Sequence, residues 1–500
     1  MIGHFRTSDR ETPMLMSPSL QDWLPPRHPA RLIVEIVESL DLRSIEDKYK
    51  GRGEFAYRPK MLVAMLFYGY STGVFSSRKL ERSCFDSVAM RFITANTSPD
   101  HDTIADFRKR ILPDLPGIFL QVLLIAKELE VLKLGKVSLD GTKIKANASK
   151  HHALSFAHAG KIKAKLRREI ARLMKLAQAA ENEPDSEMDI PEEIKRREDM
   201  VAKIDEARAK IEEREAARHA QIKAKHAERL AQREEQKRNG KKPKGPRPKL
   251  PKLRVEPTAQ INLTDEESRI MPSTYGFVQG YNAQAAVDIE SQLIVHTHVT
   301  QATNDKQQIV PALETLQALP KILGVLSDIV ADAGYYSEAN AVACEGVGVT
   351  PYLAMSRERH HNWLDAKLRK ENLAPGEDAS PADRMAHRLQ TADGSKLYSK
   401  RKSTVETTFG ILKSAMGFRT FLLRGLPKVE GEFTLACTAY NLKRLYSLVA
   451  ARRTARQQNM AALRRRSVGR YRRRAARTAT ASYTSTPPAR RAVRGSMQGS

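Results

Sequence analysis

Between residues 29 and 134, apolar residues return every three to four positions. Leu32, Ile33, Ile36, Val37 and Leu40 form one stripe, Met61, Leu62, Met65 and Leu66 a second, and Ile104, Phe107, Ile111 and Leu115 a third. That period lines side chains along one face of a helix. It predicts an all-helical domain over 29–134, with Ser98-Pro99 opening one helix as a capping hydroxyl followed by a first-turn proline. Ahead of it, Pro13, Pro18, Pro25 and Pro26 predict an irregular stretch over 1–28.

The period then changes. Lys136-Val137-Ser138-Leu139-Asp140 reads as a short strand ending in an acid, within a segment 135–156. A long polar tract over 157–238 has helix-forming composition and breaks between Glu181 and Pro191, which predicts a helical hairpin. Residues 239–258 hold five prolines and seven Lys or Arg and read as an extended linker. From 259 to 450 the pattern is α/β. Val278 to Ile289 and Leu293 to Thr300 predict adjacent strands, Leu326 to Asp332 a buried strand and Pro351 to Met355 a further one. Helices are expected after Asn304-Asp305, around Lys402 to Met416 and from Gly431 to Leu448. The sum is an α/β chain, compatible with a ribonuclease-H-like mixed sheet that is interrupted after its first strand by the hairpin and preceded by the helical domain.

Charge narrows the partners. The chain carries 85 Lys and Arg against 58 Asp and Glu, a net +27. Such a surplus points to a polyanion, most simply nucleic acid. Arg58, Lys60, Arg78, Lys79, Arg82, Arg108, Lys109 and Arg110 lie between the N-terminal stripes, where they could follow DNA, although an oligomerisation module fits the same pattern. The segment 451–500 has fourteen arginines, no lysine and no acid, and is expected to be disordered and to bind phosphates without sequence preference. No apolar run approaches the roughly 20 residues of a membrane span, and none follows Met1 as a signal segment. Cys84, Cys344 and Cys437 are scattered, which argues against a zinc cluster or disulfide framework. The expected place is the bacterial cytoplasm, on the nucleoid. No phosphate-binding loop of the Gly-x-x-x-x-Gly-Lys-Ser/Thr type occurs, so ATP is not expected.

Three acids stand where a fold can gather them. Asp140 and Asp332 each end an apolar, β-branched run, and Glu406 sits in a helix whose Val405, Phe409, Leu412 and Met416 form a packing face. Lys413 follows Glu406 by seven residues, two helical turns, on the same side, and would meet a phosphate. Three carboxylates suit Mg²⁺ better than zinc, and two such ions can drive an in-line phosphoryl displacement. Other polar residues have blander readings: Asp305 as a helix cap, Asn282 and Gln284 as sheet-edge residues, His151-His152 and His360-His361 as exposed. Asp265 and Arg269 are weaker candidates for approaching the acids.

Four segments in order carry a resemblance: Val137-Ser138-Leu139-Asp140-Gly141-Thr142-Lys143, Gly280 to Asp288, Val330-Ala331-Asp332-Ala333-Gly334-Tyr335-Tyr336, and Val405-Glu406-Thr407-Thr408-Phe409-Gly410. Together with Ser98 to Arg108 they resemble the DDE transposases of bacterial insertion sequences, over roughly residues 15 to 450. The resemblance implies that Asp140, Asp332 and Glu406 bind two Mg²⁺ ions, for which Mn²⁺ can substitute. It implies strand cleavage at element ends followed by joining to target DNA, on double-stranded DNA and in a homo-oligomer. Many relatives place three residues between an arginine and the glutamate. Here Arg401 stands one residue too far and Lys402 takes the expected place, so either can fill the basic role. Candidate DNA contacts are Arg401, Lys402, Lys413, Arg108 and Lys109. The rival readings are a ribonuclease-H-like nuclease without joining activity and a catalytically silent DNA-binding descendant.

Overall fold

The computed structural model describes residues 19–49, 56–180, 189–240, 246–250, 254–273, 276–355, 374–376 and 378–483. The expected hairpin break, the stretch 1–18, His360-His361, parts of the linker and the end of the tail lie outside these residues. The chain forms two units, up to Lys443 and from Arg444 onward.

In the first unit, eight α-helices precede the sheet among the described residues. They are α1 (Leu20–Trp23), α2 (Pro29–Ser39), α3 (Arg43–Glu46), α4 (Pro59–Ser71), α5 (Ser77–Asp86), α6 (Val88–Ile93), α7 (His101–Ile111) and α8 (Leu115–Glu128). The apolar stripes are their buried faces: Ile33, Ile36 and Val37 in α2, and Ile104, Phe107 and Ile111 in α7. The α4 helix buries Leu62 through Phe67 without interruption and so lies in the interior of the bundle. One cap differs from expectation. Asp100, not Ser98, opens α7, its carboxylate accepting from the backbone N–H of Asp102 and Thr103 at 3.0 and 2.9 Å.

The main sheet contains β1 (Leu134–Lys145), β4 (Arg269–Ser273), β5 (Gly276–Asp288), β6 (Ile294–Thr300), β7 (Gly324–Ala331) and β8 (Thr350–Leu353). Its order is β4-β5-β1-β7-β8, with β6 pairing a different stretch of β5. The β5 strand runs antiparallel to β1, whereas β7 runs parallel to β1 and β8 parallel to β7. Two short strands, β2 (Ala153–Ser155) and β3 (Gln260–Asn262), pair antiparallel at the base of the long helices α9 (Phe156–Ala180) and α10 (Ile190–Arg238). Leu154, Ala159, Leu166, Ile204, Ala207, Ile211 and Ile261 close a separate core there. The polar tract thus leaves the sheet after β1 and returns before β4.

Further along come α11 (Ile309–Gln317), α12 (Glu338–Gly346), α13 (Pro381–Gln390) and α14 (Ala392–Arg401). A π-helical turn over Lys402–Glu406, the short α15 (Thr407–Gly410) and a second π turn over Ile411–Ala415 continue the last of these. The helical bundle and the sheet share one core. Tyr70, Phe75, Phe418, Phe421 and Tyr281 stack edge to face in sequence, with ring centres 5.0 to 5.9 Å apart. Gly73, at φ +83°, lets the chain pass close to Met416, whose carbonyl a Cβ there would meet at 2.8 Å.

The last helix, α16 (Leu426–Tyr483), crosses from the first unit into the second. Where the tail was expected to be disordered, its backbone is helical as far as Tyr483. Alanine and arginine are strong helix formers, and no proline interrupts the segment before that point.

Candidate active site

The β1 strand lies at the centre of the sheet because both its neighbours need it. Val137 and Ser138 pair with Ile329 and Val330 of β7, after which the parallel ladder stops. Asp140, within β1, and Asp332, the residue just past the end of β7, are each two residues beyond that last pair, which brings them to the same end of the ladder. Asp140 does not end its strand, as the sequence pattern suggested: β1 runs on to Lys145, paired with β5 and, at Lys145, bridged to Thr420. The acid sits just past the point where pairing with β7 stops.

Each carboxylate is fixed by a following glycine. The N–H of Gly141 donates to Asp140 Oδ1 at 2.8 Å, and that of Gly334 to Asp332 Oδ1 at 2.9 Å. Burial, followed by repulsion from Asp332, pushes the Asp140 carboxyl up to about 7. Two acids this close, one of them reluctant to ionise, form a site that lacks positive charge.

Arg401 supplies part of that charge. Its guanidinium lies 3.4 Å from Asp140 Oδ2 and 2.7 Å from Glu406 Oε1, bridging the strand acid and the helix acid. The π turn explains the spacing. A π-helix bonds residue i to i+5, one more than an α-helix, so Arg401 and Glu406, five apart, fall on one side. The extra residue before Glu406 is absorbed as a bulge, and the bridging side chain is Arg401. Lys402, beside it, is exposed. The Lys413 ammonium bonds to the Thr142 hydroxyl and, at 2.9 Å, to the Lys143 carbonyl, so it binds the helix to β1.

A second group comes from the opposite side of the sheet. Gly141 and Lys143 stand opposite Gln284 and Asn282, and residues directly opposite share a face. There Asp305 Oδ1 accepts from Asn282 Nδ2 at 2.6 Å and Gln284 Nε2 at 2.7 Å. The Tyr335 hydroxyl donates to Gln284 Oε1. Lys143 Nζ lies 3.7 Å from Asp305 Oδ1, and burial lowers the pKa of its ammonium. Asp305 therefore does not cap α11, whose N-cap is Gln308, and Asn282 and Gln284 are buried in a central strand. The alternation of polar Asn282 and Gln284 with Ala283 and Ala285 was the available signal; nothing local tied Asp305 to them.

The remaining candidates stand apart. Arg108 is buried, 6% exposed, and donates to the Phe75 carbonyl at 2.8 Å, so it is not a surface contact for DNA. Lys109 is exposed and pairs with Asp106 at 3.0 Å. Asp265 accepts from the Tyr281 hydroxyl at 2.8 Å, and Arg269 bonds Gln301 at 2.9 Å. His151 is exposed, and His152 bonds Thr264.

Among the described residues, no three His, Cys, Asp or Glu side chains already close on one point as a metal cluster. The donor chemistry still fits a divalent cation. Asp140 and Asp332 repel one another, both offer oxygen, and an Arg cation now lies between Asp140 and Glu406. No described helix is long and apolar enough to cross a membrane.

Two family models match the chain. One, described as Transposase domain (DUF772), covers residues 18–110; the other, Transposase DDE domain, covers residues 253–442. Together they span more than half of it. The second begins after Asp140, which joins the matched region through the pairing of β1 with β5 and β7. No curated protein and no solved structure gives a match.

Proposed function

Since the chain belongs to the insertion-sequence DDE transposases, a family that generally depends on divalent metal, we propose that it cuts DNA at the ends of its element and joins the freed 3′ ends to target DNA. One observation carries this reading: Asp140 of β1 and Asp332, just past the end of β7, lie two residues beyond the same strand pair, with Arg401 bridging from Asp140 to Glu406. The sheet supports a ribonuclease-H-like assignment, with an antiparallel meander of β1, β5 and β6 and two parallel strands on the other side of β1.

Asp140, Asp332 and Glu406 would hold two Mg²⁺ ions, or Mn²⁺ in their place. When bound, such ions supply activation of the attacking oxygen and stabilisation of the leaving one. The chain does the rest. Gly141 and Gly334 orient the two aspartates through their N–H groups. Arg401 draws Glu406 toward Asp140 and offsets the negative charge. Lys413 fixes the helix that carries Glu406 against β1. The protein acts on double-stranded DNA, and bringing two ends together calls for a homo-oligomer.

The test is an assay on a supercoiled plasmid carrying the element's terminal sequences, with a second plasmid as target. The parent should give cut and joined products in Mg²⁺. Asp140→Asn, Asp332→Asn and Glu406→Gln should each lose cutting by more than the ~10–100-fold typical when only an outer partner of a metal ligand is removed. Cutting without joining would instead establish the plain nuclease, and binding without cutting the silent DNA-binding descendant.

A further inference from the structure

We propose that Lys143 grips a phosphate of the DNA strand brought to the acids, and that Asp305 is the positioning residue that holds its ammonium there. The proposal rests on the reading of the acids as a DNA-cutting site.

Lys143 projects from β1 three residues after Asp140, on the face of Gly141, Asn282 and Gln284. Its side chain is 19% exposed, so it is neither sealed in nor free in solvent. An ammonium has three donors. Among the described residues its partner is Asp305, at 3.7 Å, well beyond the 2.7–2.9 Å of a full charge-assisted bond. Lys413 contrasts with it, since its donors already hold the Thr142 hydroxyl and the Lys143 carbonyl. Of the two lysines next to the acids, Lys143 is the one with donors to offer.

Asp305 is built in rather than incidental. Two amides fix Oδ1, and one of them, Gln284, is itself fixed by the buried Tyr335. Asn340 Nδ2 in turn donates to the Tyr335 carbonyl at 2.7 Å. Asn282 is fully buried, its amino group donates to Asp305 and the Ala302 carbonyl, and its Oδ1 has no hydrogen-bond partner among the described residues. Leaving a buried acceptor unpaired is costly, and the cost is borne at the point that orients Asp305. The network presses up against the acids. A Cβ on Gly141 would stand 2.2 Å from Gln284 Nε2, 2.7 Å from Asp305 Oδ1 and 2.9 Å from Asn282 Oδ1. A Cβ on Gly334 would lie 3.0 Å from Asp332 Oδ1 and 3.8 Å from Asp305 Oδ2. Asp305 thus lies between Gly141 of β1 and Gly334, the residues that fix Asp140 and Asp332, and carries Lys143 to where a strand must pass to be cut. A Lys ammonium suits that place, as a point charge that binds phosphate without demanding one geometry.

The experiment uses the full chain and duplex DNA bearing the element end. Binding is measured against salt in Ca²⁺, and cleavage against both DNA and Mg²⁺ concentration. Lys143→Met should reduce the slope of log affinity against log salt by about 0.9, the share of one phosphate. It should raise KM for DNA more than it lowers kcat, and leave half-maximal Mg²⁺ unchanged. Lys143→Arg should restore most of the slope, which also shows that the fold is retained. Asp305→Asn should raise KM in the same way, and the double variant should be no worse than Lys143→Met alone. An unchanged salt slope in Lys143→Met would overturn the phosphate contact. A tenfold or greater rise in half-maximal Mg²⁺ for Asp305→Asn would make Asp305 a cation ligand and overturn its positioning role. If the parent binds but never cuts, the proposed function fails, while the salt slopes still decide the question of Lys143.

Discussion

Replacing Arg108 with alanine separates a structural cation from a DNA contact. Arg108 lies among basic neighbours in α7, yet it is 6% exposed and donates to the Phe75 carbonyl across the bundle. Its charge also acts on Glu432, which is fully buried, accepts from the Tyr70 hydroxyl at 3.2 Å and binds the N–H groups of Leu422 and Leu423 at 3.0 and 2.9 Å. Removing Arg108 deletes its bond to the Phe75 carbonyl and part of the charge balance of the buried Glu432, a loss of about 1–3 kcal/mol. At about 2 °C per kcal/mol for a large unit, the melting temperature should fall by roughly 2–6 °C. The pH dependence follows from the same geometry. Burial raises the Glu432 pKa, so its contribution to stability is complete below the unfolded carboxyl value and is lost as pH rises. Arg108→Ala raises that pKa further. Its defect should therefore be largest at neutral pH and shrink below about pH 4, where the carboxyl is protonated in both states. Thermal unfolding of parent and variant from pH 4 to 8 measures this. Adding Glu432→Gln to Arg108→Ala should recover part of the loss. A variant as stable as the parent, with a DNA-binding salt slope lower by about one, would refute the argument and return Arg108 to the DNA surface.

Two further outcomes are expected. Arg401→Ala should lower cleavage by about 10–100-fold, as for other groups that orient ligands, while Lys402→Ala should change it less than about threefold; equal effects in a plasmid-cleavage assay would reject the π-turn assignment. Gly141→Ala should destabilise the protein by about 1–3 kcal/mol, since its Cβ meets Gln284 and Asp305 inside contact distance, and should slow cutting as Asp140 shifts; denaturant unfolding unchanged from the parent would disprove the close approach.

The local pattern determined a good deal. Periods of three to four marked the buried faces of α2, α4 and α7, and apolar runs located β1, β5, β6 and β7, because helix and strand each impose a repeat on whatever face is buried. Asp140 and Asp332 stood out because each closes such a run. What the sequence could not decide was which distant residue meets which. Arg108 and Lys109 look alike in the chain, but the first is buried and bonded to Phe75 while the second is left in solvent. Asp305 looked like a cap until β5 delivered Asn282 and Gln284 to it. The extra residue between Arg401 and Glu406 remained ambiguous between Arg401 and Lys402, since one bulged turn reverses which side chain points inward. Burial and charge pairing depend on neighbours brought from elsewhere in the chain, 21 and 23 residues away for Asp305, 33 for Arg108 and 261 for Arg401, and they meet only once the strands and helices have packed.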